Sequence, residues 1–147
     1  MGPRTGRPKR GQLVDMTIYP QRTPEYVPPP VERVEEYVSR EVLEFGQELR
    51  VRYHIFDDRV MTFFAVMQIT HRDDGWTEVA RIDTCHATVH KHQLHKGSSD
   101  TVGTRTELSP IPVTDPYITI ETWYSESLKH MHNEWQENLR LWGGDYG

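Results

Sequence analysis

Apolar residues along this chain recur at two different periods, and the change of period marks the elements. Val31, Val34, Val38, Val42 and Phe45 fall at helical spacing, with Glu32, Arg33, Glu35, Glu36, Arg40 and Glu41 between them. That spacing predicts an amphipathic helix of about three turns. The β-branched valines oppose it, and Glu41–Phe45 could equally begin a strand; Gly46 ends the element in either case. From Leu49 the period becomes two. Leu49-Arg50-Val51-Arg52-Tyr53-His54-Ile55 alternates apolar and polar residues as a half-buried strand does. Phe56-Asp57-Asp58-Arg59 reads as a turn, Val60 to Thr70 as a second strand, His71 to Gly75 as a hairpin turn and Trp76 to Asp83 as a third strand. Connections this short predict an antiparallel meander.

Beyond the third strand the pattern loosens. Residues 84–95 either continue the strand or leave it as a loop. Val102 to Val113, interrupted by Pro110 and Pro112, predicts one edge strand or irregular chain. Thr114 or Asp115 then caps a helix with Pro116 in its first turn. Ile120, Tyr124, Leu128, Met131, Trp135, Leu139 and Trp142 form an apolar stripe at steps of three and four, ending at Gly143-Gly144. The expected fold class is α+β: a small antiparallel β-meander of roughly three to five strands packed by a C-terminal amphipathic helix. The tryptophans are read as core, with Trp142 alternatively a partner contact, and His130 and His132 as packed or exposed helix residues.

Residues 1–30 contain seven of the ten prolines, a density incompatible with helix or central strand. They read as an extended basic Pro-rich arm with Pro28-Pro29-Pro30 as a polyproline II rod, and residues 31–147 as a single α+β domain. Charge sharpens the division. Residues 1–31 hold Arg4, Arg7, Lys9, Arg10 and Arg22 against Asp15 and Glu25, a sum of +3, so the remainder of a chain of net charge −5 carries −8. A basic tip on an acidic body points the tip at a polyanion. No apolar run approaches a membrane span, and no apolar segment follows the basic tip as in a secretory signal. A lone Cys85 excludes an internal disulfide and fits a reducing compartment, so a cytoplasmic protein with no membrane partner is expected.

Half of the eight histidines, His86, His90, His92 and His95, fall within ten residues. Imidazole both titrates near neutrality and binds transition metals. In an extended segment His86, His90 and His92 share a face, and Cys85 or Asp83 could complete a tetrahedral zinc set, although the spacing is not an established zinc signature. Zinc is thus the candidate cofactor if the cluster binds metal, and no cofactor is expected otherwise. A metal-free alternative uses two histidines as acid and base, Asp83 to orient one ring, and Arg81 or Lys91 to hold a phosphate, a set suited to cleaving a phosphodiester through its 2′-hydroxyl. A third reading is a half-exposed strand whose histidines bond locally. Cys85 beside His86 is a further, weaker nucleophile candidate.

The run Arg81-x-Asp83-Thr84-x-His86 with its following histidine pair, between a meander and a C-terminal helix, resembles a small uncharacterised prokaryotic family with an Arg-x-Asp-Thr-x-His core. It is more distantly similar to the TumE-type toxins of toxin–antitoxin pairs. The resemblance covers about residues 49–142 and departs at Ile82, where an aromatic is usual, and at the additional His86 and His95. It implies Arg81, Asp83, His90 and His92 as catalytic residues and an antitoxin as partner. Separately, Thr5-Gly6-Arg7-Pro8-Lys9-Arg10-Gly11 resembles an AT-hook, in which Arg-Pro lies along a narrow minor groove; it departs at Thr5. Arg4, Arg7, Lys9 and Arg10 are therefore the nucleic-acid-binding candidates, with ribosomal RNA or an acidic protein surface suiting the arm as well as DNA. Two functions follow: a binding or accessory protein whose arm docks on nucleic acid, a ribosome or a larger assembly, or a small His-dependent ribonuclease-like toxin.

Overall fold

The computed structural model describes residues 24–97 and 103–143. Arg4, Arg7, Lys9 and Arg10 lie outside the described residues, as do Val102 and Gly144. One six-stranded sheet has its strands in chain order: β1 (Val34–Glu44), β2 (Gln47–Phe56), β3 (Val60–Arg72), β4 (Gly75–Asp83), β5 (Thr88–Gln93) and β6 (Thr104–Pro110). Every neighbouring pair is antiparallel, so the architecture is the α+β meander expected from the sequence, with more strands than the three to five anticipated. Turn chemistry supports the connections. Asp57 and Asp58 both adopt left-handed φ (58° and 57°), as a tight hairpin requires and Asp tolerates, and Arg59 N–H donates to the Phe56 carbonyl at 3.1 Å.

The helix α1 (Pro116–Trp142) lies across β3, β4 and β5. Ile120, Met131, Trp135, Leu139 and Trp142 of its stripe are buried against Leu49, Val51, Phe64, Val66 and Ile82 of the sheet. Asp115 sits at its N-terminus without a side-chain cap bond, and Gly143 (φ 107°) closes its C-terminus by donating to the Arg140 carbonyl.

The helix expected over residues 31–45 does not form. A single 3-10 turn, Val31–Arg33, leads straight into β1. The physical reason is that α1 already covers the sheet's apolar face, leaving no surface for a second stripe. β-Branched residues favour an extended backbone, and β2 offers partners from Val34↔Phe56 to Glu44↔Gln47. As an edge strand, β1 leaves Val38 and Val42 exposed, while Tyr37 stacks on Tyr53 at 5.2 Å.

The chain before β1 is tied to the domain. Tyr26 is buried, its hydroxyl donates to the Thr62 carbonyl at 2.9 Å, and its ring meets Tyr117 edge-on at 6.3 Å. Pro30 has polyproline II dihedrals (φ −58°, ψ 147°).

Candidate functional site

The side chains of β5 alternate across the sheet, and the two faces do different things. Thr88, His90 and His92 point away from α1; Val89, Lys91 and Gln93 point toward it. On β4 the pairing Asp83↔His90 and Arg81↔His92 puts an acid and a base opposite the two imidazoles on the outer face. On β6, His90↔Glu107 and His92↔Arg105 add two exposed charges to the same rows. A bulge at Leu108, between Val89↔Ser109 and His90↔Glu107, sets this register.

Asp83 is the centre of the cluster and is buried. Its Oδ2 accepts from Arg81 Nε at 2.9 Å; its Oδ1 accepts from the Cys85 backbone N–H at 3.4 Å. The same Oδ1 stands 3.0 Å from His90 Nε2 and 4.0 Å from His92 Nε2. The imidazoles are crossed at 76° with centroids 4.7 Å apart. Arg81 is itself held, its Nη1 donating to both Glu78 oxygens at 3.1 and 2.8 Å.

His90 is only 1% exposed, and its Nδ1 lies 3.0 Å from the Thr88 hydroxyl. Its Nε2 is buried and close to Asp83, yet not aligned for a hydrogen bond with any of the described residues. Thr88 Oγ1 also reaches the Cys85 carbonyl at 3.4 Å. Burial holds His90 below the ordinary imidazole pKa; the Asp83 charge opposes this, and Arg105, His92 and His86 add to it. The ring is therefore neutral at pH 7. The His92 side chain is 20% exposed and is the imidazole of the pair that solvent reaches.

The structure brings together Arg81, Asp83, His90 and His92, but not His86. A 3-10 turn, Cys85–Ala87, with His86 and Ala87 both in left-handed conformation (φ 57° and 62°), breaks the strand and leaves His86 exposed. The outer-face parity that would have joined His86 to His90 and His92 is lost there, and Asp83 takes the third place. Lys91 is also absent from this face. Its Nζ donates to His130 Nε2 at 2.9 Å and Asn138 Oδ1 at 2.7 Å on α1, so it holds no phosphate beside the histidines. His132 pairs with Glu41 at 2.8 Å, on the helix side. Burial, then the Asp83 charge, pushes the Cys85 thiol up, which removes it as an activated nucleophile.

Beside the cluster runs a groove of about 460 Å³, bounded by Pro28 and Pro29 of the leading segment and by Arg52, Phe63, Arg81 and Asp83 of the sheet. Arg52 lies 5.2 Å over the Phe63 ring and pairs with Glu36 at 3.2 Å. Sequence reasoning missed Thr88, Glu78, Arg52 and Arg105 as neighbours of the site. Thr88 was within reach, two residues before His90 on the same face. Arg105 was not, because the connection from Gln93 to Thr104 does not fix the β5–β6 register.

Comparison with known protein families, with curated proteins and with solved structures finds no match to this chain. None of the described helices is long and apolar enough to cross a membrane.

Proposed function

We propose that the chain is a small ribonuclease-like enzyme, and that Arg81, Asp83, His90 and His92 are its working face. The observation that carries this reading is the convergence of two imidazoles and an arginine on one buried carboxylate, beside a groove. Within the proposal the roles divide by exposure. His92 accepts the 2′-hydroxyl proton as that oxygen attacks phosphorus. The 5′-oxygen leaves and takes a proton back from the imidazolium, giving a 2′,3′-cyclic phosphate and a 5′-hydroxyl. Asp83 Oδ1 lies 4.0 Å from His92 Nε2, the nitrogen that carries the proton in this reading. His90, being buried, positions Asp83 rather than touching substrate. Arg81 is already engaged by Asp83 and Glu78 through Nε and Nη1, so the exposed Arg105, opposite His92, is the phosphate-facing cation. The resemblance to TumE-type toxins belongs to this reading, with an antitoxin as the partner that would cover the face.

A second reading is supported by the charge asymmetry. A binding or accessory protein would dock its Arg4, Arg7, Lys9 and Arg10 on nucleic acid, a ribosome or another assembly, and the domain would be a scaffold. One experiment separates the two: incubate the purified chain with a labelled RNA under dilute salt. The enzyme reading expects fragments ending in 2′,3′-cyclic phosphate that disappear with His92→Ala. Intact RNA that is bound, and released on deletion of residues 1–12, leaves the binding reading in place.

A further inference from the structure

The outer-face cluster has one property that acid–base catalysis does not use. Asp83, His90 and His92 each offer one ligand atom, and the three atoms lie within 4.8 Å of one another. His90 Nε2 is a buried nitrogen with no aligned hydrogen-bond partner among the described residues, and a carboxylate oxygen lies 3.0 Å from it. Leaving such a nitrogen unsatisfied costs on the order of 1–3 kcal/mol, so its retention calls for a partner.

We infer that Asp83, His90 and His92 form a three-ligand site for one divalent transition-metal ion, zinc best of all, and that its occupation switches off the acid–base chemistry of the same face. Two imidazole nitrogens and one carboxylate oxygen are the donor types zinc prefers, and three protein ligands leave a fourth position for water. The surrounding contacts are those that orient metal ligands. The Thr88 hydroxyl engages His90 Nδ1, and Arg81 engages the second oxygen of Asp83, leaving Oδ1 to turn inward. Glu78 offsets the Arg81 charge that would otherwise repel a cation. Tetrahedral ligands at zinc distances stand about 3.3–3.4 Å apart. The separations of 3.0 and 4.0 Å straddle that value, so the partly buried His92 ring must draw in toward Asp83 and His90. A metal on His92 Nε2 occupies the lone pair that the proposed reaction needs. The regulatory half of this inference therefore rests on the ribonuclease reading; the binding half does not.

The test is a zinc titration of the untagged full chain against a chromophoric chelator. One ion per chain is expected. His92→Ala and Asp83→Asn should each weaken binding at least tenfold, while His86→Ala and Cys85→Ser should leave it within twofold. Equal zinc affinity in wild type and His92→Ala, or no binding at all, overturns the site. His92 is less buried than Asp83, so this variant keeps the test valid even if replacing Asp83 unfolds the chain. The regulatory half is read separately, from RNA cleavage with zinc and after chelation. Suppression that chelator reverses supports it, and cleavage that continues in a chain shown to hold zinc overturns it. If no cleavage occurs under any metal condition, the ribonuclease reading fails and takes the regulatory half with it, while the titration still decides the metal site.

Discussion

The strand β5 carries a basic side chain into each face of the sheet, and the two are treated in opposite ways. Lys91, facing α1, is met by His130 and Asn138. Asn138 Nδ2 in turn donates to Gln68 Oε1 at 3.0 Å, and Gln68 Nε2 to the Trp135 carbonyl at 2.8 Å. Burial lowers the Lys91 pKa, with Glu134 and Glu137 opposing. Burial, then the Lys91 charge, lowers that of His130, so the imidazole is neutral and accepts the lysine's proton-bearing corner. Lys91, His130, Asn138 and Gln68 thus bond to one another, although Gln93 Oε1 on the same face has no partner among the described residues. His90, one residue away on the other face, is more deeply buried and keeps a ring nitrogen without a bond. A polar network that closes on itself fixes a helix on a sheet; one left open is equipped to meet something else.

That contrast can be broken from either side. The largest effect is expected at His92. Replacement with alanine should lower cleavage by on the order of 10²–10⁴-fold while changing unfolding free energy by under about 1 kcal/mol. Kinetics paired with urea denaturation will show whether function and stability separate as the two faces predict. On the closed side, Asn138→Ala strands Lys91 and Gln68 together and should cost about 2–4 kcal/mol in the same denaturation experiment, with residual cleavage per folded molecule unchanged. A comparable loss of stability from both variants would erase the distinction between the faces. The smallest effect concerns pH. Because the folded pKa of His130 lies below 6.5, the stability it lends is full above that value and drains away as pH falls through it, when the unfolded chain takes a proton the folded one refuses. His130→Gln should flatten this part of the acid slope by up to about one proton, leaving the portion due to His90. Stability curves of the two proteins that run parallel between pH 7 and 5 would show that His130 is not the group responsible.

Much of this molecule was legible before folding, for identifiable reasons. The stripe from Ile120 to Trp142 holds one period for six turns, too long for chance, and Gly143 marks its end. β2 to β4 announce themselves by alternation and by Asp-rich turns. Face parity in the sequence grouped His90 and His92 but put His86 with them; Arg81 and Asp83 were joined to the pair through the resemblance and as residue types suited to acid–base chemistry. β1 was misread because Val34, Val38 and Val42 stand four apart, a step that fits one face of a strand as well as one face of a helix, and an edge strand that buries little adds no other signal. His86 was misplaced because left-handed backbone at His86 and Ala87 carries no glycine or asparagine to signal it. Lys91 could be assigned its face only once β5 was known to be strand.

The bulge at Leu108 makes β6 two half-strands with separate allegiances. From Leu108 onward the chain answers to the interior, where Leu108 packs against the core. Before it, Arg105 and Glu107 stand opposite His92 and His90, while Thr104 and Thr106 stand opposite Gln93 and Lys91 on the other face. Substitutions in that short stretch can thus recharge the outer wall of the cluster, reversing Arg105 or neutralising Glu107, without a penalty in packing. Affinity for anions or cations at this face is adjustable independently of the fold that presents it.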